Sequence, residues 1–85
     1  MTAIEEYLSD ALIRLYPNPT SSRFFIELPS NSEGQLTLLD AQGKKILEMP
    51  LSEYNELNVS DLVKGMYLAK ITIDNKVVYK KVFVL

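Results

Sequence analysis

The chain has 85 residues, carries no cysteine and no histidine, and has a formal net charge of −2 at pH 7. This length fits one small domain, and the two absent residue types remove thiolate and imidazole metal ligands and the common nucleophile pairs of hydrolases. We therefore expect no metal and no cofactor. Residues 64–85 hold five lysines and one aspartate but no recognisable motif for reading bases, so we expect no nucleic-acid partner.

Residues 1–11 are predicted to form a linker. Apolar side chains recur there at helical spacing, which indicates at most a weak helical turn up to about residue 9. The N-terminus lacks the positive start and apolar stretch of a secretory signal, and the chain has no run of eighteen apolar residues. If the domain is exported, we expect the signal for crossing the inner membrane to lie outside this sequence.

A short strand is predicted at residues 12–16, and a Pro-Asn-Pro segment follows it. Pro17 and Pro19 each fix their own φ and remove a backbone donor. Both prolines also push the preceding residue, Tyr16 or Asn18, into extended geometry. No helix is expected to run through this segment, which leads into a β-rich region.

Four further strands are predicted between residues 24 and 59. Apolar alternation from Phe24 to Leu28 indicates the second strand, and the leucines of residues 36–39 indicate the third. A hairpin loop opened by Asp40 leads to a fourth strand at residues 45–49, which Pro50 is expected to end. Residues 54–59 are predicted to form the fifth strand. Residues 60–65 are predicted to form a tight connection, for which one helical turn capped by Ser60 and ended by Gly65 is a candidate.

The last twenty residues predict a long hairpin. Residues 66–73 and 76–85 are rich in β-branched and aromatic side chains, and Asp74 begins a two-residue turn between them. Both faces of the final strand are apolar. Lys80 and Lys81 are adjacent, so one of them must lie on the core side, and the sequence leaves open which one. Together the strands predict an all-β fold, an immunoglobulin-like β-sandwich of about seven short antiparallel strands.

Three motifs together resemble the C-terminal sorting domain of the type IX (Por) secretion system. The resemblance covers residues 12–85 and is fairly specific, because the motifs occur in the order and spacing of that family. The motifs are Tyr16-Pro17-Asn18-Pro19-Thr20, Gly65-Met66-Tyr67-Leu68 and Lys80-Lys81-Val82-Phe83-Val84.

The resemblance implies a non-catalytic signal that follows an N-terminal passenger protein. Such domains direct the passenger through an outer-membrane translocon to the surface of a Gram-negative bacterium by way of the periplasm. A sortase-like protease then cuts the domain off, and we expect the cut before residue 12. The family motifs map onto the recognition residues Tyr16, Pro17, Asn18, Pro19, Gly65, Tyr67, Lys80, Lys81 and Val82.

Several of these residues have a structural explanation as well. Gly65 and Tyr67 are more simply explained as a turn glycine and a core tyrosine, whereas recognition and protection of a strand edge are equally good explanations of Lys80 and Lys81. A terminal strand with an apolar outer face and an open end can be bound by another protein, either by addition of a strand to its edge or by docking on its face. The same face also allows isolated copies to pair as a homodimer.

Two other functional classes remain as alternatives. An immunoglobulin-like adhesion or carbohydrate-binding accessory module would use exposed tyrosines as platforms, for which Tyr7, Tyr54 and Tyr79 are candidates. An enzyme would need paired carboxylates, such as Glu27 and Asp40, at working distance. Because the acidic residues are spread over turns and strands, a solvated surface is the favoured explanation of that pair.

Overall fold

A computed structural model describes residues 12–85, so the linker predicted at residues 1–11 and the platform residue Tyr7 lie outside the described part. The described chain folds into seven strands, as the sequence predicts. Residues 12–85 contain no helix that is long and apolar enough to cross a bilayer. The strands are β1 (Arg14–Tyr16), β2 (Arg23–Glu27), β3 (Gly34–Leu39), β4 (Lys45–Leu51), β5 (Tyr54–Asn58), β6 (Gly65–Ile73) and β7 (Lys76–Val84).

The strands form two antiparallel sheets. One sheet has the order β1-β2-β5 and the other has the order β4-β3-β6-β7. The sandwich core forms between them, because the alternating pattern of each strand turns every second side chain inward. The largest fully buried side chains come from both sheets and the loop after β5; they are Phe24, Ile26, Leu36, Leu38, Val59, Ile71 and Val82.

The two predicted hairpin turns are confirmed. In the first, Asp40 Oδ1 accepts hydrogen bonds from the backbone N–H groups of Gln42 and Lys44, both at 2.9 Å, and Gly43 adopts a φ of 88°. In the second, Asp74 has a φ of 56° and the strands close on the pair Ile73 and Lys76. Short polar side chains and glycine tolerate these left-handed backbone positions, so local sequence is enough to determine both turns.

Two local predictions are wrong. Pro50 does not end β4 but lies inside it, paired with Gln35. This is tolerated because β4 is an edge strand, in which a residue whose nitrogen points away from the sheet makes no ladder hydrogen bond through it. Residues 60–64 form the predicted tight connection as a turn and a bend rather than a helical turn, and Gly65 already belongs to β6. Asn58 Oδ1 accepts hydrogen bonds from both the backbone N–H (2.9 Å) and the hydroxyl of Ser60 (2.6 Å), and this local ring competes with helix formation.

Gly34 begins β3 where the backbone of β6 passes very close. A Cβ atom added there would lie 2.5 Å from the carbonyl oxygen of Thr72 and 3.1 Å from Cγ1 of Ile73. The neighbouring atom is backbone, which cannot rotate away as a side chain can. The close packing of β3 against β6 therefore requires glycine at this position.

Replacing Gly34 with alanine is expected to lower the free energy of unfolding by about 1–3 kcal/mol, the usual cost of overpacking. Urea denaturation of the full chain measures this change. The matched control is Gln35→Ala, whose side chain is exposed and whose loss is expected to change stability by less than about 0.5 kcal/mol. Equal midpoints for the two variants would contradict the close approach.

Candidate functional site

The last strand, β7, lies at the edge of the four-stranded sheet. It pairs with β6 from Ile73 and Lys76 at the turn to Gly65 and Val84 at the far end. The order β4-β3-β6-β7 leaves the opposite edge of β7 without a neighbouring strand in its sheet. Unpaired N–H and C=O groups along such an edge attract other strands unless something covers them.

The two faces of β7 differ in exposure but are both apolar, as the sequence predicts. Val78, Val82 and Val84 are buried on the inner face. On the outer face Val77 and Phe83 are each 44% exposed and Tyr79 is 54% exposed. We call the outward-facing residues Val77, Tyr79, Lys81 and Phe83 the outer stripe. Three large apolar side chains in one exposed row are a feature typical of an interaction surface.

The structure settles which lysine lies on the core side of β7. Lys80 is half-buried between the inward-facing Val78 and Val82, opposite Ala69 of β6. The small Ala69 side chain leaves room for the aliphatic stem of the lysine at the rim of the core. Lys81 is exposed and belongs to the outer stripe. The adjacent lysines therefore occupy different environments, and only Lys81 adds positive charge to the outer stripe.

Asn18 of the Pro-Asn-Pro segment binds the outer edge of β7. Its side-chain nitrogen donates to the carbonyl oxygen of Lys81 at 2.7 Å, and its side-chain oxygen accepts from the N–H of Phe83 at 3.0 Å. A carboxamide offers one donor and one acceptor in the same arrangement as a peptide group. Asn18 therefore takes the place of one residue of a neighbouring strand.

Thr20 extends this contact to the end of the chain. Its N–H donates to the carbonyl of Phe83 at 2.9 Å, and its carbonyl accepts from the N–H of Leu85 at 2.8 Å, which gives a parallel bridge to Val84. Thr20 is buried, and its hydroxyl donates to the carbonyl of Arg23 at 2.6 Å. The strand end that the sequence predicts to be open is therefore closed over residues 81–85.

Tyr16, although part of the same motif, lies on the outer face of the three-stranded sheet. Its ring stacks on Phe25 with centroids 5.6 Å apart, and the guanidinium of Arg14 lies 5.2 Å from the ring centroid. The hydroxyl donates to Glu27, and this hydrogen bond to a carboxylate raises the pKa of Tyr16 above its usual value of 10.0. Pro17 and Pro19 are exposed beside it, and the peptide bonds before both are cis.

The Gly-Met-Tyr-Leu motif lies on β6, directly opposite the final motif. Gly65 adopts a φ of 149°, a region that favours glycine, and pairs with Val84. Tyr67 is buried opposite Val82, and its hydroxyl donates to the carbonyl of Val63 at 2.5 Å. Both residues thus have the structural roles that the sequence analysis favours.

The three motifs therefore meet around the C-terminal half of β7. The first contributes the edge contacts of Asn18, the second supplies the paired strand β6, and the third is the strand itself. Sequence reasoning missed the role of Thr20, which it quoted in the motif without a function. Its partners on β7 are more than sixty residues away along the chain, so no local pattern shows them. Whether a translocon contacts the motif residues stays a prediction.

The carboxylates considered for an enzyme are not brought together. Glu27 at the end of β2 forms an ion pair with Arg14 at 3.2 Å, whereas Asp40 follows β3 in the other sheet and bonds its own turn. Within residues 12–85, the structure has no group of three acidic side chains that could hold a metal ion. Each of the two carboxylates thus has a local structural partner.

Asn18→Ala removes both hydrogen bonds from this side chain to β7. Each hydrogen bond usually contributes about 0.5–1.5 kcal/mol to stability, so we expect the Phe83 amide to exchange with solvent about tenfold faster. Hydrogen-exchange NMR of the full chain measures this rate. Asn18→Asp keeps the acceptor for Phe83 and should retain most of its protection, while the contact with Lys81 is lost. The exposed neighbour substitution Ser21→Ala is the control, and unchanged exchange in Asn18→Ala would contradict the edge contact.

A family model described as the secretion system C-terminal sorting domain matches residues 14–85. The match begins at the first residue of β1 and includes all seven strands and the three motifs. No curated protein matches the chain. A type IX sorting domain implies secretion, or association with the cell surface through the outer membrane. Because the match spans the whole described sandwich apart from its first two residues, the chain belongs to the family of type IX secretion system C-terminal sorting domains.

Proposed function

We propose that this domain is a non-catalytic signal that takes an N-terminal passenger through the type IX translocon in the outer membrane of a Gram-negative bacterium. The passenger crosses the periplasm first, and a sortase-like protease then removes the domain and attaches the passenger to the surface. The observation that carries the proposal is the outer stripe of β7, which presents exposed apolar side chains and Lys81 on an ordered strand.

The translocon reads the outer stripe by docking on the face of the sheet, not by adding a strand to its end. Asn18 and Thr20 already occupy the backbone groups of residues 81–85 that a new strand would need. Face-on docking uses side chains that alternate with the buried valines, so the fold and the signal do not compete for the same residues. Aromatic anchors such as Tyr79 and Phe83 are the residue types that dominate binding energy at interfaces.

The double substitution Tyr79→Ser with Phe83→Ser is expected to lower surface delivery at least tenfold. The full chain is fused behind a secreted reporter in a host with a type IX system, and surface reporter is measured by whole-cell labelling. Losing about 1.4 kcal/mol of binding already weakens an interaction tenfold, and truncated aromatic anchors each cost about that or more.

The matched control is Tyr54→Ser, since Tyr54 is 74% exposed on the other sheet and its removal should leave delivery unchanged. Point substitutions are preferable to deleting residues 80–85, because the deletion also removes the buried Val82 and Val84. A thermal melt of each variant shows that it folds. Wild-type delivery of the folded double variant refutes face-on reading.

Pairing of two copies through the outer stripe is the competing explanation of its exposure. Analytical sedimentation of the isolated chain distinguishes homodimer formation from translocon binding. A homodimer that forms through this face is expected to become monomeric in the Tyr79 and Phe83 double variant. A wild-type chain that is monomeric, combined with lost delivery in the variant, assigns the outer stripe to the translocon.

The cleavage region lies before residue 12. Ile13 is only 3% exposed and Arg14 begins β1, so a protease that cuts beyond this point must first unfold the sandwich. We expect mass spectrometry of the released C-terminal product to find its first residue at or before position 12. A product that begins after Pro19 contradicts this assignment.

A further inference from the structure

Three aromatic side chains cluster on the outer face of the β1-β2-β5 sheet, on the other side of the sandwich from the outer stripe of β7. Tyr16 lies opposite Phe25, and Tyr54 lies opposite Glu27 in the next row of the sheet. We call Tyr16, Phe25 and Tyr54 the aromatic patch. Tyr54 is 74% exposed, more than any aromatic residue of β7, and the core does not account for it.

The aromatic patch borders a cleft of about 280 Å³ that is also lined by Glu27, Asn55 and Glu56. Sites for small molecules usually measure about 300–1,000 Å³ and combine apolar walls with a few polar groups. This cleft combines the same kinds of group, and its volume lies just below that range. Stacking on Phe25 and the hydrogen bond to Glu27 hold the Tyr16 ring in place before any ligand arrives.

The charges around the cleft cancel in pairs. Arg14 binds Glu27 at 3.2 Å, and Arg23 binds Glu56 at 2.6 Å. The rim therefore has no net charge to attract an ionic ligand, but it keeps carboxylate oxygens as acceptors and guanidinium groups as donors. A ligand that matches this rim is uncharged and rich in hydroxyl groups.

We propose that the aromatic patch binds an uncharged oligosaccharide. A pyranose ring has a face of C–H groups, which packs against the electron-rich face of an aromatic ring, and an edge of hydroxyl groups that hydrogen-bond to carboxylates. Tyr54 supplies the exposed ring and Glu27 and Glu56 supply acceptors beside it. A sugar chain then lies across the sheet and leaves the sandwich intact.

The sugar site is independent of the outer stripe. Tyr54 projects from β5 on one outer face of the sandwich, whereas Tyr79 projects from β7 on the other. Tyr54 and Tyr79, two of the three tyrosines that the sequence offers as candidate platforms, therefore belong to separate surfaces. A sorting domain with this arrangement can hold a surface glycan while the translocon reads the opposite face.

The test is an NMR titration of the ¹⁵N-labelled full chain with four neutral probes, namely cellohexaose, maltohexaose, mannohexaose and chitohexaose, each up to about 10 mM, since millimolar affinity corresponds to only about −4.1 kcal/mol. We expect at least one probe to give saturable shifts at the amides of Tyr16, Phe25 and Tyr54. Tyr54→Ala should weaken that binding at least tenfold, and Glu56→Gln should weaken it less. Tyr79→Ala is the control and should bind as the wild type does.

The proposal is overturned if none of the four probes saturates, or if the shifts centre on β7. It also fails if Tyr54→Ala binds as the wild type does, or if only a charged probe, a heparin hexasaccharide, binds. Because Tyr54 is exposed, its variant should keep a dispersed spectrum. Surface delivery of the same Tyr54 variant stays normal if sorting uses the other face, so failure of the two proposals can be told apart.

Discussion

The fold depends on the contact between the Pro-Asn-Pro segment and the edge of the last strand. Asn18 and Thr20 make four hydrogen bonds to the backbone of residues 81–85. Without them the terminal half of β7 would expose the donors and acceptors that promote edge-to-edge association. Two short polar residues cover that edge without a whole strand, so the outer face of β7 stays accessible while its edge is closed.

The family motifs thus mostly support the surface, and they contribute only part of its exposed side chains. Tyr67 and Val82 form a buried pair, Gly65 starts the strand beside them, and Asn18 fixes the edge. The exposed side chains alternate with these residues because successive positions of a strand point to opposite faces. A residue in a motif is therefore not automatically a residue that a partner touches. Of the motif residues, Lys81 and Phe83 lie on the outer stripe.

The two outer faces of the sandwich differ in chemistry although they share one core. The face that ends at β7 carries an apolar row with a lysine, whereas the face of β1, β2 and β5 carries aromatic rings beside two arginine–glutamate ion pairs. The first suits an apolar protein surface and the second suits a neutral, hydroxyl-rich ligand. A small domain can support both surfaces because each uses outward side chains that the core does not need.

Sequence alone determined the parts that depend on neighbouring residues: the period-two strands, the turns at Asp40 and Asp74, and the two faces of the final hairpin. It also identified the family through its three motifs. Tertiary structure decided the rest. Pro50 is allowed inside β4 because that strand lies at an edge. Lys80 faces the core rim because it lies on the same face of β7 as the buried Val78 and Val82, where the small Ala69 opposite leaves room for it. The closed end of β7 and the aromatic patch join residues that are distant in the chain, and only the pairing of strands brings such residues together.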